Sequence, residues 1–140
     1  MKYVLDTNIV SALMANDKRV HERLRGLPPK DVAIPQPALA EIAFGVERLV
    51  SSKRKQLLRD GFEAIRREIP QLGWTTNVTD AFATIKAGLE KSGRLIEDFD
   101  VAIAAHALAH GAVLVTANSK HMERIPNLHV EDWLANPASS

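Results

Sequence analysis

The sequence predicts an α/β fold in which a parallel sheet is covered by helices on both faces. Segments with strand character alternate with segments of helical spacing, which is the pattern of parallel strands joined by crossover helices. Residues 112–116 form the clearest strand, and their unbroken apolar character indicates burial on both faces. A second apolar run, residues 3–5, ends abruptly at Asp6. Ligands of open α/β sheets bind beyond the carboxyl ends of the strands, so Asp6 is predicted to lie at a functional edge.

Prolines, glycines and apolar spacing divide the rest of the chain into elements. The predicted strands cover residues 1–5, 32–34, 71–76, 112–116 and 128–130. The predicted helices cover residues 8–15, 20–27, 37–51, 53–69 and 99–110. One more helix is predicted to be capped by Asn77 or Thr79 and to end near Gly93. Pro28 and Pro70 end helices because proline cannot continue one, whereas Pro37 suits the first turn of a helix. Gly111 closes the last long helix, and Asp98 is predicted as its N-cap.

Composition limits the class of protein. With 140 residues, 46% of them hydrophobic, the chain suits one domain, expected over residues 1–134, with a tail over residues 135–140. A formal net charge of +1 gives no general attraction for polyanions, so such a partner needs a local patch or a metal. The absence of cysteine excludes disulfides and thiolate zinc sites. No segment has the pattern of a membrane span or a signal peptide, so we expect a cytoplasmic protein with no membrane partner.

Three acids interrupt apolar surroundings instead of lying on polar faces. Asp6 follows the first strand, Glu41 lies within an apolar helix, and Asp100 opens the apolar run 100–105. Each lies at or near a junction with a helix, and in a parallel α/β fold these junctions gather at one edge of the sheet. Taken singly, an aspartate at such a junction is more often a helix cap. Glu41 is the hardest to explain as a cap, because its neighbours are apolar.

Carboxylates that meet at one edge need a compensating cation. Two of them about 4 Å apart repel by about 4 kcal/mol at an effective dielectric of about 20. Mg²⁺ prefers oxygen ligands and is often held by one or two carboxylates together with substrate phosphates. A metal held in this way activates water and stabilises charge on a phosphoryl oxygen. The pattern therefore indicates metal-assisted phosphodiester hydrolysis, with a purely structural role for each acid as the alternative.

Short polar residues follow the two clearest strands. Thr116 and Asn118 are candidates to orient Asp6 or to bind a metal-coordinated water, and the alternative is a turn followed by a helix N-cap. Asn8 is a candidate cap of the first helix, with Thr7 facing the site.

Histidines and basic residues have weaker claims to a functional role. His106 and His110 have i, i+4 spacing but lack the intervening glutamate of an H-E-x-x-H motif, so zinc binding is not favoured. A basic run in the middle of the chain includes Arg48, Lys53 and Arg54, which are candidates to hold an RNA backbone. Because acids are mixed into this run, it is more often typical of a solvated helix face.

Five short motifs occur in order along the chain. They are Val4-Leu5-Asp6-Thr7-Asn8, then Leu39-Ala40-Glu41-Ile42-Ala43-Phe44-Gly45, then Asp100-Val101-Ala102-Ile103-Ala104-Ala105-His106-Ala107, then Leu114-Val115-Thr116-Ala117-Asn118, and finally Ile125-Pro126-Asn127-Leu128 with Glu131-Asp132-Trp133. Together, over essentially the whole chain, they resemble a PIN-domain ribonuclease, specifically a VapC-type toxin of a type II toxin–antitoxin system.

The resemblance implies a fold, a cofactor and a set of site residues. The fold is a three-layer α/β/α arrangement around a mostly parallel sheet, and the activity is that of an endoribonuclease dependent on Mg²⁺ or Mn²⁺. By motif match, Asp6, Glu41 and Asp100 form the acidic triad. Asp98 would point about 200° away from Asp100 on a helix and is therefore interpreted as the N-cap. Where many PIN domains have a fourth acid this chain has Asn118, which disfavours tight binding of a second metal.

The resemblance also implies a reaction and partners. The reaction is in-line attack of a metal-activated water on an RNA phosphodiester, which leaves a 5′-phosphate and a 3′-hydroxyl. The partners are RNA, a VapB-type antitoxin that blocks the groove, and a second copy of the chain in a homodimer. The main alternative is a PIN-like RNA-binding or regulatory domain with little catalysis. An aspartate-nucleophile phosphatase is disfavoured because it needs a second aspartate where Asn8 stands, and a receiver domain needs paired acids and a late lysine that are not evident.

Overall fold

The computed structural model describes residues 1–135 and contains a parallel sheet flanked by helices, which confirms the predicted α/β class. The strands are β1 (Tyr3–Leu5), β2 (Val32–Pro35), β3 (Gln71–Leu72), β4 (Val113–Val115) and β5 (Val130–Glu131). The helices are α1 (Thr7–Met14), α2 (Lys18–Arg25), α3 (Gln36–Glu47), α4 (Lys53–Glu68), α5 (Thr76–Ser92), α6 (Asp98–Ala109) and α7 (Ser119–Met122), with a 3₁₀ turn at Pro29–Asp31. All but the first residue of the predicted tail lies outside the described residues.

Strand β1 is the centre of the sheet. The strand order is β3-β2-β1-β4-β5, and each neighbouring pair is parallel. Tyr3 pairs with Val32 of β2 on one side and with Val113 of β4 on the other. Val4 and Leu5 are fully buried, as expected for a strand covered on both faces. Because the strands run the same way, the residues that follow β1, β2 and β4 emerge at one edge of the sheet.

The helices pack in two groups. Helix α3 packs against α1 and α4, while α5 lies along α6, which in turn contacts β1 and β4. Helix α6 is apolar around nearly its whole circumference, and residues 101–107 are all buried. The body of α6 is covered on all sides and has little freedom to shift, whereas its first turn, which carries Asp100, is more exposed.

Two predicted caps near the edge of the sheet are wrong. Asn8 lies inside α1, and the N-cap position belongs to Asp6, whose carboxylate accepts the first amide of the helix. Asp98 is the first residue of α6, and Glu97 precedes it at the N-cap position. The Asp98 carboxylate instead pairs with Lys86 of α5 at 3.0 Å. That partner lies on another helix, so local sequence reasoning could not supply it.

Other boundaries shift by a few residues. Helix α3 ends at Glu47, before the predicted Ser51, and β3 is only two residues long. Strand β3 is short because Thr75 already caps α5, a role that was predicted for Asn77 or Thr79. In the described part of the chain, no helix has the length and apolarity that a membrane crossing needs.

Candidate active site

Three different elements bring the predicted acids to the carboxyl edge of the sheet. Asp6 directly follows the central strand β1, Glu41 lies in the second turn of α3 after β2, and Asp100 lies in the first turn of α6. They share one electrostatic environment, because repulsion from Asp6 and Glu41 helps to raise the pKa of Asp100. Asp6 and Glu41 are 35 positions apart in the sequence, and Glu41 and Asp100 are 59 positions apart. The parallel topology brings all three to the same edge of the sheet.

Asp6 is buried, yet both of its carboxylate oxygens are hydrogen-bonded. Asp6 is only 3% exposed. The amide of Thr7 donates to Oδ1 at 2.7 Å, and the hydroxyl of Thr116 donates to Oδ2 at 2.7 Å. Burial raises the pKa of Asp6, and the hydrogen bonds from Thr116 and Thr7 offset only part of that rise. The carboxylate is therefore held in one orientation but has no positively charged partner among residues 1–135.

Thr116 is the hub that holds Asp6 in place. Besides donating to Asp6, its hydroxyl oxygen accepts the Asn8 side-chain amide at 3.3 Å and the Asn118 backbone amide at 2.9 Å. The Asn8 side-chain oxygen accepts the Ala117 amide at 3.0 Å. These bonds join the start of α1 to the loop after β4, so Thr116 and Asn8 orient Asp6 from behind.

The Asn118 side chain faces His121. Its Nδ2 lies 3.1 Å from Nδ1 of His121. Asn118 also occupies the N-cap position of α7, where its side chain makes no capping hydrogen bond. The imidazole of His121 lowers the pKa of Asp100, although the causes that raise that pKa prevail. Asn118 therefore supports the site through its backbone amide, and its side chain brings a histidine to the rim.

Thr7 links two of the acids. Its hydroxyl donates to Oε1 of Glu41 at 2.7 Å, while its backbone amide donates to Asp6. One residue thereby fixes Glu41 relative to Asp6, and Thr7 faces the site as predicted.

Asp100 is only partly buried, and repulsion from neighbouring acids contributes to the rise in its pKa. Its pKa is raised to about 6, first because burial disfavours the charged carboxylate and then because Asp6, Glu41 and Glu97 repel it. Near neutral pH the site therefore carries negative charge that the described residues do not neutralise.

This donor set suits a hard divalent cation. The three acids offer only oxygen ligands, which Mg²⁺ and Mn²⁺ prefer. Within residues 1–135, no group of three or more His, Asp or Glu side chains is already arranged to hold a metal ion. One oxygen of Glu41 is engaged by Thr7, and burial, together with repulsion from neighbouring acids, raises the pKa values of Asp6 and Asp100. The residues fit a cation whose arrival would draw the carboxylates together.

Several other candidates lie farther from the acids. Asp98 is exposed and directed to Lys86, so it does not join the triad. The Arg48 guanidinium lies 5.9 Å from the centroid of the Phe44 ring, beside a groove that Glu41 also lines. Lys53 and Arg54 are exposed in the first turn of α4. The role of these three basic residues in RNA binding stays a prediction.

The histidine pair on α6 is not a metal site. His106 is fully buried, and its Nδ1 donates to the Ala102 carbonyl at 2.7 Å. Its ring packs edge-on against Trp74, with the ring centroids 5.5 Å apart. His110 occupies the C-cap position of the same helix. Burial lowers the pKa of His106, as expected for a neutral core histidine.

Sequence reasoning missed two concave surfaces beside the acids. The first, the apolar groove, has a volume of about 430 Å³ between α1, α3 and α4, and its lining includes Thr7, Glu41, Phe44, Arg48 and Leu58. The second, the aromatic cleft, has a volume of about 200 Å³ and is lined by Pro37, Trp74, Phe82, Asp98, Phe99 and Ala102. The available signal was the apolar character of α3 around its whole circumference, which leaves Phe44 66% exposed.

The fold and the site define a class of protein: a small α/β/α domain with an acidic site at the carboxyl edge of a parallel sheet. A protein-family model for the PIN domain matches residues 3–128. The chain belongs to the PIN domain family, which confirms the resemblance carried by the five motifs.

Similar proteins align with nearly the full length of this chain. Ribonuclease VapC2 of Rickettsia felis is 33% identical over 135 residues, which cover 95% of this chain and 98% of that protein. The tRNA(fMet)-specific endonuclease VapC of Salmonella typhimurium is 31% identical over 134 residues, with 95% and 98% covered. Among solved structures, VapBC2 from Rickettsia felis bound to a promoter DNA fragment superposes with a TM-score of 0.86 at 32% identity, covering 95% of this chain and 99% of that chain.

Proposed function

We propose that this protein is the endoribonuclease toxin of a toxin–antitoxin pair and that it cleaves RNA phosphodiester bonds at the acidic site in the cytoplasm. The observation that carries the proposal is the convergence of Asp6, Glu41 and Asp100 at the carboxyl edge of the sheet, where Asp6 and Glu41 help to raise the pKa of Asp100. The similarity to VapC ribonucleases supports the same reaction.

The three acids divide the work of the site. A bound Mg²⁺ or Mn²⁺ would neutralise them and supply the Lewis-acid and water-activating chemistry of hydrolysis. Asp6 provides a fixed oxygen donor because Thr116 and Thr7 hold both of its oxygens. Glu41, hydrogen-bonded through one oxygen to Thr7, keeps its second oxygen for the cation. Asp100 completes the set from the first turn of α6.

The apolar groove suits an antitoxin. It begins at Thr7 and Glu41, so a chain lying in it would reach the acidic site. Phe44, Val50 and Leu57 are 66%, 82% and 71% exposed, which is unusual for large apolar side chains on or between neighbouring helices. An apolar segment of a VapB-type antitoxin that lies in the groove would bury Phe44 and block the acids. The chain would act as a homodimer, a part of the proposal that rests on the family alone.

The nuclease proposal is tested by incubating total cellular RNA with the purified protein and Mg²⁺ or Mn²⁺. We expect wild type to cut the RNA, a chelator to stop cutting, and Asp6→Asn and Glu41→Gln to lower the rate by at least about 10³-fold. Asp80→Asn, which removes an exposed acid on α5, is the matched control and should cut at the wild-type rate. RNA binding without cutting by wild type would favour the regulatory alternative.

The antitoxin proposal is tested by co-expression with the adjacent reading frame. Wild type should copurify with its product and lose its toxicity, whereas Phe44→Asp should fail to copurify because a charge would enter the apolar groove. Ser11 lines the same groove, and Ser11→Ala should preserve the complex. Copurification of Phe44→Asp at the wild-type level would show that the partner binds elsewhere.

A further inference from the structure

The aromatic cleft is lined by residues of α3, α5 and α6 and by Trp74, and it shares no lining residue with the apolar groove. Its two most accessible rings, Trp74 and Phe99, are 49% and 52% exposed. Phe82 forms part of its lining and contacts Trp74, with the ring centroids 5.7 Å apart. Large aromatic rings that stay half exposed beside a functional site mark a surface for a partner or ligand.

Two residues of the cleft lining are close neighbours of the acids along their helices. Pro37, in its wall, lies one helical turn before Glu41 on the same face of α3. Phe99 immediately precedes Asp100 in the first turn of α6. Residues one turn apart on a helix have Cβ atoms about 5–6 Å apart, so a group packed against Pro37 is about one nucleotide away from Glu41.

Contacts within the protein hold the Trp74 ring in place. The indole Nε1 of Trp74 donates to the Thr79 hydroxyl at 2.7 Å. The Trp74 ring also packs edge-on against the buried His106, with a centroid separation of 5.5 Å. A ring that is held in place before binding loses little conformational freedom when a ligand stacks on it.

The charges at the rim permit an RNA backbone to approach. Asp98 lines the cleft, but its carboxylate is paired with Lys86 at 3.0 Å. The Lys86 ammonium lies 5.9 Å from the centroid of the Phe82 ring. The rim is therefore close to neutral, in contrast to the negative site next to it.

The size of the cleft selects a small flat group. Its volume of about 200 Å³ is below the roughly 300–1,000 Å³ of pockets for drug-sized ligands. A standard protein interface would need about 20–30 residues a side, which two exposed rings do not provide. Every nucleobase has a π face, and stacking on aromatic side chains is the usual way to bind an unpaired base.

We propose that the aromatic cleft binds one unpaired nucleobase of the RNA substrate by stacking on Trp74 and Phe99, next to the phosphodiester at the acidic site. The inference rests on the proposed ribonuclease function and adds a subsite to it. Because the cleft lies beside the acids and not among them, it contributes to substrate binding rather than to bond cleavage.

The test compares RNA with and without bases. A short random-sequence RNA and an abasic ribose-phosphate chain of equal length are titrated against full-length protein carrying Glu41→Gln, which keeps the RNA intact, in Mg²⁺. We expect the RNA to bind more tightly than the abasic chain. Trp74→Leu should remove that difference and weaken RNA binding between about fivefold and a hundredfold, which corresponds to about 1–3 kcal/mol for one stacked base. Trp74→Phe, which keeps a π face, should restore most of the affinity.

Cleavage of total tRNA by the same variants in an otherwise wild-type chain gives the second measurement. Trp74→Leu and Phe99→Leu should raise KM and leave kcat nearly unchanged. Leu95→Ala removes another exposed apolar side chain, outside the cleft lining, and should change neither constant.

The outcomes separate this inference from the function on which it rests. Cutting by wild type with an unchanged KM in Trp74→Leu, or equal binding of the abasic chain, would overturn the subsite and leave the nuclease proposal intact. Conversion of a wild-type dimer to a monomer by Trp74→Leu, measured by light scattering, would assign the cleft to a second copy and overturn the base-stacking role. Failure of wild type to cut any RNA would overturn both proposals.

Discussion

The two sides of the acidic site are held very differently. The floor is formed by the buried Asp6 and Thr116 and the half-buried Asn8, and both oxygens of Asp6 are hydrogen-bonded. The wall, formed by Glu41 and Asp100 on α3 and α6, is partly exposed. Within the wall, Glu41 accepts the hydroxyl of Thr7, and Asp100 has a pKa of about 6. The difference teaches that the floor fixes where negative charge lies, whereas the wall can adjust when a cation or substrate arrives.

Removal of a wall carboxylate gives the largest expected effect. Asp100→Asn keeps the size of the side chain but removes one of three charged oxygen donors, so we expect a loss of RNA cleavage of at least about 10³-fold. The required Mg²⁺ concentration should also rise. Both are measured from initial rates over a range of Mg²⁺ concentrations. A variant that keeps wild-type kinetics would exclude Asp100 from the site.

Substitution of Thr116, which holds the floor together, should have the next largest effect on the cleavage rate. Thr116→Val conserves shape but deletes the donor to Asp6 and the acceptor for Asn8 and Asn118. Loss of a group that hydrogen-bonds to a metal ligand typically lowers activity or metal affinity about 10–100-fold, and that is the loss expected in the cleavage rate. Thr116→Ser keeps the hydroxyl and should retain most activity. Equal loss in both variants would indicate that packing, and not the hydroxyl, is what matters.

Removal of the hydrogen bond from Thr7 to Glu41, which links the floor to the wall, should lower the cleavage rate less. Thr7→Val deletes the hydrogen bond to Glu41 but keeps the backbone amide that binds Asp6. Because only Glu41 is misplaced and it can still rotate toward a cation, we expect a loss of about tenfold, at the low end of the range for groups that hydrogen-bond to metal ligands. Thr7→Ser is the matched control. If Thr7→Val were as damaging as Thr116→Val, the wall would be no more adaptable than the floor.

The same contrast explains how much of the site could be predicted from sequence. Asp6 and Thr116 follow apolar runs that read clearly as parallel strands, so their meeting at one edge followed from topology alone. The hydrogen bonds of Asn8 and the pairing of Asp98 with Lys86 depend on contacts between distant elements. Local sequence rules predicted that Asn8 and Asp98 are helix caps. Contacts with distant elements give them different roles in the structure.

The concave surfaces were harder to foresee than the acids. An exposed Phe44 or Trp74 has the same sequence signature as a buried one, since both are apolar residues at helical or strand-like spacing. Only the packing of α3, α5 and α6 leaves these rings accessible. The sequence shows only that α3 is apolar on nearly every face, and which of its apolar residues stay exposed is recognised from structure. A carboxylate in apolar surroundings, in contrast, already stands out in the sequence.

The smallest expected effect concerns stability, and it tests the charge on the wall directly. The pKa of Asp100 is raised from 3.8 to about 6 in the folded protein. Between these values the folded state binds more protons than the unfolded state, so this group lowers stability as pH rises from about 4 to about 6 and lowers it no further above that. Asp100→Asn should therefore stabilise the metal-free protein at pH 7 but not at pH 4.

The full shift would correspond to about 3 kcal/mol, and solvent screening of a partly exposed carboxylate reduces the expected gain to about 1 kcal/mol. Urea unfolding of wild type and Asp100→Asn in a chelator, at both pH values, measures the difference, with Asp80→Asn as the control for removal of an exposed acid. Addition of Mg²⁺ at pH 7 should raise the stability of wild type more than that of Asp100→Asn, since a cation relieves the repulsion that the substitution has already removed. A gain for Asp100→Asn that is equal at pH 4 and pH 7 would mean that the wall is not under electrostatic stress, and the contrast with the floor would then be one of hydrogen bonding alone.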